Sequence, residues 1–113
     1  MRSTHEILDH HLKAFGNNDL EAILKDYNEQ SEIFTVDGIV TGLKAIRKFF
    51  EEFFRVIPTG SVFEMKQMIV SDRLAYIVWS SKSEVAEIVF GTDTFVIEED
   101  KIVFHSVADH RIN

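Results

Sequence analysis

The last 24 residues, FGTDTFVIEEDKIVFHSVADHRIN from Phe90 to Asn113, constrain the fold more than any other stretch. They form two β-rich runs joined by a short acidic turn over Glu98–Lys101, the pattern of a long antiparallel hairpin. The two-residue period puts Asp93, Phe95 and Ile97 on one face of the first run and Thr92, Thr94 and Val96 on the other. In the second run, Ile102, Phe104, Ser106, Ala108 and His110 alternate with Val103, His105, Val107 and Asp109. A carboxylate, an imidazole and a second carboxylate therefore stand on faces that are otherwise apolar, as in a lined pocket.

Upstream, the period of the pattern changes. Ser3 with Glu6 three residues later fits a capping box, and predicts a helix over Ser3–Phe15 that stops at Gly16. Its apolar stripe is Ile7, Leu8, Leu12 and Phe15, and it contains His11. A short second helix follows over Asp19–Lys25. Glu32–Thr35 and Gly38–Thr41 read as two short edge-like strands around an Asp37-Gly38 turn. After Gly42, Leu43–Val56 is a helix with a wide face of Ile46, Phe49, Phe50, Phe53 and Phe54, ended by Pro58 and Gly60. Period-two strands run from Ser61 to a turn at Ser71-Asp72-Arg73, and again over Leu74–Ser83. Helices first and strands after predict an α+β domain with helices on one face of a curved sheet.

Size and charge narrow the function. A chain of 113 residues, 45% of them hydrophobic, reads as one domain over residues 1–113 with a core that needs no staples, and it has no cysteine for disulfide or thiol chemistry. A net charge of -7 without a basic stripe argues against nucleic acid or anionic lipid as partner. No apolar run has the length of a signal segment or a membrane span, so a cytoplasmic protein is expected. There is no metal-ligand motif, glycine-rich phosphate loop or nucleophile elbow, so no metal or cofactor is expected. The chemistry that remains open is cofactor-independent proton transfer.

The segments HLKAFGNNDLEAI, EIFTVDGIVTGLKAIRKFF and GTDTFVIEEDKIV resemble the nuclear transport factor 2-like superfamily, which includes ketosteroid isomerases and SnoaL-like polyketide cyclases. The resemblance spans almost the whole chain, and its most specific parts are Asn18-Asp19-Leu20 and Gly42 before a helix with Ala45-Ile46 and Phe49-Phe50. It implies a cystatin-like cone: three N-terminal helices packed on a strongly curved, mostly antiparallel sheet that encloses an apolar cavity, in a homodimer joined through the outer sheet face. In the isomerases a carboxylate base moves a proton beside a ketone, while a tyrosine and a protonated aspartate stabilise the oxyanion. The resemblance carries the aspartate onto Asp93 and the tyrosine position onto His11. It carries the base onto Thr35, with Asp37 two residues beyond.

The candidates are therefore Asp93, His11, His105 and Asp37 as chemical groups. Phe15, Thr35, Phe50, Phe53, Phe54, Trp79, Phe95 and Val107 are the candidate pocket wall. Each has a plainer reading: His11 as a core histidine, Asp93 as a hydrogen-bonded strand-end carboxylate, Asp37 as a turn residue, and the aromatic rings as core. Burial inside a cone would favour a neutral, proton-donating Asp93. The expected function is a small cavity protein that binds an apolar carbonyl-bearing molecule, with proton transfer of isomerase or cyclase type. The alternative is a non-catalytic ligand-binding or dimerisation module of the same fold.

Overall fold

The N-terminal helix forms where its cap dictates. In the computed structural model, which describes residues 1–112, Ser3 Oγ accepts from Glu6 N (3.1 Å) and Glu6 Oε1 accepts from Ser3 N (2.8 Å). This starts α1, Thr4–Gly16, which buries Ile7, Leu8, His11 and Ala14. The next two residues have separate duties. Asn18 takes the left-handed conformation (φ 52°) and its side chain donates to Phe15 O and Ile57 O and accepts from Thr59 N. Asp19 caps α2, Leu20–Leu24, by accepting from Ala22 N.

The hairpin of β1, Glu32–Thr35, and β2, Gly38–Thr41, then leads to α3, Leu43–Val56. Gly42 supplies the positive φ (85°) at the start of α3, and Glu29 Oε1 accepts from Leu43 N at 2.7 Å in place of a side-chain cap from Gly42. Four long strands complete the chain: β3, Val62–Ser71; β4, Leu74–Lys82; β5, Glu87–Glu98; and β6, Lys101–Ile112. Their order in the one sheet is β2-β1-β6-β5-β4-β3. All neighbours are antiparallel except β1 and β6, which run parallel. The sheet is curved and unclosed, with the three helices on its concave face.

Two sequence expectations change here. Of the two short strands only β2 is an edge; β1 lies between β2 and β6, and its Ile33 is fully buried opposite His105. The free side of the long β6 offers N–H and C=O groups that need a partner, and β1 supplies them. The strict alternation of β6 also fails. A bulge between Val96 and Ile97 sets Phe104 and Ile102 against consecutive residues of β5, leaving Val103 unmatched. Ile102 therefore shares the buried face with His105 and Val107, while Phe104 turns outward onto Phe34 (ring centroids 4.8 Å).

Among the described residues no helix covers the outer face of the sheet. Ile69, Leu74, Tyr76, Val89 and Phe90 are 37–50% exposed there. No helix among the described residues is long and apolar enough to cross a membrane.

Candidate functional site

Register determines which polar groups meet inside the cone. Asp93 on β5 stands opposite Ile77 on β4 and Val107 on β6, so Trp79 and His105 are its diagonal neighbours on the two flanking strands. Long side chains on such diagonals are within reach of each other. The Trp79 Nε1–H donates to Asp93 Oδ1 at 2.8 Å, and His105 Nε2 lies 2.6 Å from Asp93 Oδ2. On the other side of the ring, His105 Nδ1 lies 2.8 Å from the Tyr27 hydroxyl. All four residues are buried, at 7% exposure or less.

Counting donors orders this chain. A neutral imidazole has one donor and one acceptor, and the Tyr27 hydroxyl has His105 as its side-chain partner. Every proton is used when Tyr27 O–H donates to Nδ1 and Nε2–H donates to Asp93. Burial, with the Asp93 and Asp26 carboxylates nearby, pushes the Tyr27 phenol well above its ordinary 10.0, which keeps it a donor. Asp93 thus accepts from two N–H groups. Both oxygens of Asp93 are thereby engaged, Oδ1 by the Trp79 indole and Oδ2 by His105.

The indole reaches Asp93 because β5 gives way beneath it. A Cβ on Gly91 would lie 2.5 Å from Trp79 Cε2 and Cζ2, so only glycine fits opposite the ring. The His105 ring is clamped from the other side by Phe95, stacked at 4.2 Å.

His11 stands beside this network with its ring 5.7 Å from that of His105, edge-on. Its Nδ1 is buried without a hydrogen-bond partner among the described residues. Burial first, and then the proximity of His105 and His10, hold its pKa well below the ordinary 6.5. The folded-state value is the lower one, so as pH falls below 6.5 the unfolded chain gains a proton that the fold excludes. The contribution of neutral His11 to stability is complete above that pH. It declines below it by at most about 1.4 kcal/mol per pH unit, until the depressed value is reached. His11→Leu should remove this slope from urea-denaturation series run between about pH 7 and 5, and an unchanged series would show that His11 is not the excluded proton's site.

Most of the sequence candidates fall into two spaces that meet at Phe53. His11, Phe15, Phe50, Phe53, Trp79 and Asp93 line a half-open inner cavity of about 20 Å³, together with Leu12, Phe63 and Ile77. That is little more than the 10–15 Å³ needed by one water. Thr35, Asp37, Phe53 and Val107 instead line a half-open groove of about 650 Å³ between the β1–β2 hairpin, α3 and the end of β6. In the groove Arg111 is paired to Asp109 (2.8 and 3.3 Å) and lies over the Phe53 ring at 5.5 Å. Thr35 Oγ1 is held in the hairpin turn, donating to Gly38 O and accepting from Asp37 N. Asp37 is exposed. His105, Phe54 and Phe95 line neither space: His105 lies behind Asp93, Phe95 stacks on His105, and Phe54 packs on Phe15 and Phe50.

Sequence reasoning missed Tyr27, the far end of the relay, which follows α2 where no periodicity marks its orientation. It also missed Asp26, a fully buried carboxylate held by Arg2 Nη1 (2.9 Å) and His10 Nδ1 (2.6 Å). Arg2 further binds Asp100 in the β5–β6 turn, where Glu99 and Asp100 both have positive φ, so this cluster ties the N-terminus to that turn.

Comparison with solved structures places the fold among known cones. A nuclear transport factor 2-like protein of unknown function from Cytophaga hutchinsonii superposes with a TM-score of 0.78 at 13% identity, over 97% of this chain and 92% of that one. A candidate polyketide cyclase from Sinorhizobium meliloti gives 0.73 at 17% identity, over 90% and 93%. A candidate ketosteroid isomerase from Kribbella flavida gives 0.79 at 9% identity, over 97% and 79%. At such identities the likeness is one of fold. A comparison with curated proteins finds no match. Residues 8–105, from the buried stripe of α1 to the histidine that holds Asp93, match the SnoaL-like domain, and the chain belongs to that family.

Proposed function

We propose that this protein binds a small, largely apolar molecule bearing a carbonyl group and moves a proton on it without a cofactor. The observation that carries this reading is Asp93, a buried carboxylate in the wall of an aromatic cavity, oriented by N–H donors from Trp79 and His105. A carboxylate fixed in this way is suited to take a proton from the carbon beside a carbonyl. The C–H electron pair passes into the enolate, whose oxygen gains the negative charge, and the proton returns from Asp93 to the same carbon or to another. His11, a neutral imidazole in the same wall, is the group available to meet that oxygen. The fold shared with a candidate cyclase and a candidate isomerase is compatible with this chemistry but does not select it.

The test is deuterium incorporation beside the carbonyl of cyclohexanone in D2O, followed by proton NMR. The wild type should exceed buffer, and Asp93→Asn should lower the catalysed rate by roughly 10²–10⁴-fold. Equal rates for the two proteins would contradict the reading. A second reading, a binding module without turnover, is favoured by the small inner volume of about 20 Å³ and by the engagement of both Asp93 oxygens. It predicts ligand binding with no exchange.

The exposed Ile69, Leu74, Tyr76 and Phe90 on the uncovered sheet face support a homodimer joined there. Light scattering at micromolar concentration should give twice the chain mass, and Tyr76→Glu should give the monomer. A wild type that is monomeric at that concentration would remove the dimer.

A further inference from the structure

Asp93 can be approached from two sides, and the side chains in the way are held very differently. From the large groove the barrier is Phe53. Its ring is 6% exposed and surrounded by Phe15 (5.5 Å), Phe49 (5.6 Å), Trp79 (6.3 Å) and the Arg111 guanidinium (5.5 Å). Turning it would break aromatic contacts on every side.

From the opposite end the barrier is thinner. A pocket of about 110 Å³ between the end of α1 and the Pro58–Ser61 turn shares Leu12, Phe15 and Phe63 with the inner cavity. Phe63 is 41% exposed and stacks on a single ring, Trp79, at 5.4 Å and 17°. It sits on β3, the edge strand, just before the bulge between Met65 and Gln67. Edge position, a nearby bulge and partial exposure all lower the cost of swinging this ring outward.

We propose that Phe63 is the door to Asp93, and that the space behind it admits one neutral six-membered ring but not two fused rings. This rests on the reading of Asp93 as the group that faces the ligand. Size sets the first limit: an outer pocket of about 110 Å³ and an inner cavity of about 20 Å³ are together of the order of the roughly 150 Å³ apolar cavity that takes a benzene, with no room for a second fused ring. Charge sets the second. The polar side chains of the outer pocket are already committed, Asn18 to Phe15 O, Ile57 O and Thr59 N, and Ser61 to Pro58 O. No ionic group lines that pocket, so nothing there would pair with a charged ligand. At the inner end Asp93 is an acceptor, so the ligand class is a single ring that presents an O–H or an acidic C–H, such as a phenol, a cyclic enol or a cyclic ketone.

Trp79 is the sole tryptophan, and its indole N–H, bonded to Asp93, gives one side-chain reporter in a ¹H–¹⁵N spectrum. Titration with phenol should move that signal saturably, with a Kd on the order of millimolar for so few atoms, while 2-naphthol should leave it in place. Phe63→Ala should let 2-naphthol bind at least about tenfold more tightly than to wild type. Phe63→Leu, a milder truncation, should fall between. Phe49→Ala, on the groove side, should leave both titrations as in wild type. Binding of 2-naphthol to the wild type, or relaxation of the size limit by Phe49→Ala instead of the Phe63 variants, would overturn the proposal and make the groove the entrance. Silence of the Trp79 signal toward phenol in wild type and Phe63→Ala alike would also overturn it. If Asp93-dependent deuterium exchange is then still observed, the reading of Asp93 stands without this door. If exchange is missing too, both fall.

Discussion

Truncating Phe50 to alanine is expected to lower the unfolding free energy by about 3–5 kcal/mol. The ring is 1% exposed at the centre of α3 and bridges the helices to the sheet. It meets Phe49 at 5.1 Å, His11 and Tyr27 at 5.9 Å, and His105 at 6.5 Å. Those neighbours are fixed by their own elements: His11 by α1, His105 by its bonds to Asp93 and Tyr27. The wall therefore cannot collapse into the space, and the cavity penalty is retained in addition to the lost burial. Urea denaturation followed by Trp79 fluorescence measures it. A loss below about 1 kcal/mol would mean that the interior is loosely packed around an open cavity.

The second large effect belongs to the relay. His105→Leu keeps a side chain of similar bulk beneath Phe95, so little of its effect comes from packing. What it removes is one of two donors to a buried carboxylate and the acceptor of the buried Tyr27 hydroxyl. Leaving a buried hydrogen-bonding group without its partner costs about 1–3 kcal/mol, and more where the group is charged. Replacing both members by apolar side chains costs far less than the sum. The double variant Asp93→Leu with His105→Leu should therefore recover part of the stability lost in His105→Leu alone. Strict additivity of the two single substitutions would show that the groups do not interact.

These two residues also mark how far the sequence could be read. Phe50 was legible because it lies in a helical stripe opened by Gly42, and helical periodicity depends only on near neighbours along the chain. The same holds for the Ser3–Glu6 box and for the turn between β1 and β2, which the structure forms at Val36-Asp37 with Gly38 opening β2. Asp93 and His105 were legible as polar residues on strand faces, and the Asn18-Asp19 pair as a fold signal whose physical basis is the stapled left-handed turn between α1 and α2. Their partnership was not. It depends on a register that a bulge at Val103 shifts, and bulges have no reliable mark in the pattern. The parallel pairing of β1 with β6 joins residues some seventy positions apart, beyond the reach of any local period. Tyr27 follows the end of a five-residue helix, where direction is set by tertiary contact alone.

The central claim is the direction of the hydrogen bonds through His105: Tyr27 O–H to Nδ1, and Nε2–H to Asp93. Long-range ¹H–¹⁵N correlation of the imidazole side chains at neutral pH tests it most directly, because protonated and unprotonated ring nitrogens resonate far apart. The account predicts that His105 is neutral with the proton on Nε2, and that Asp93→Asn disturbs this signal while leaving that of exposed His5 in place. A proton on Nδ1, or on both nitrogens, would contradict it, and Asp93 would then not be the acceptor on which the proposed chemistry depends.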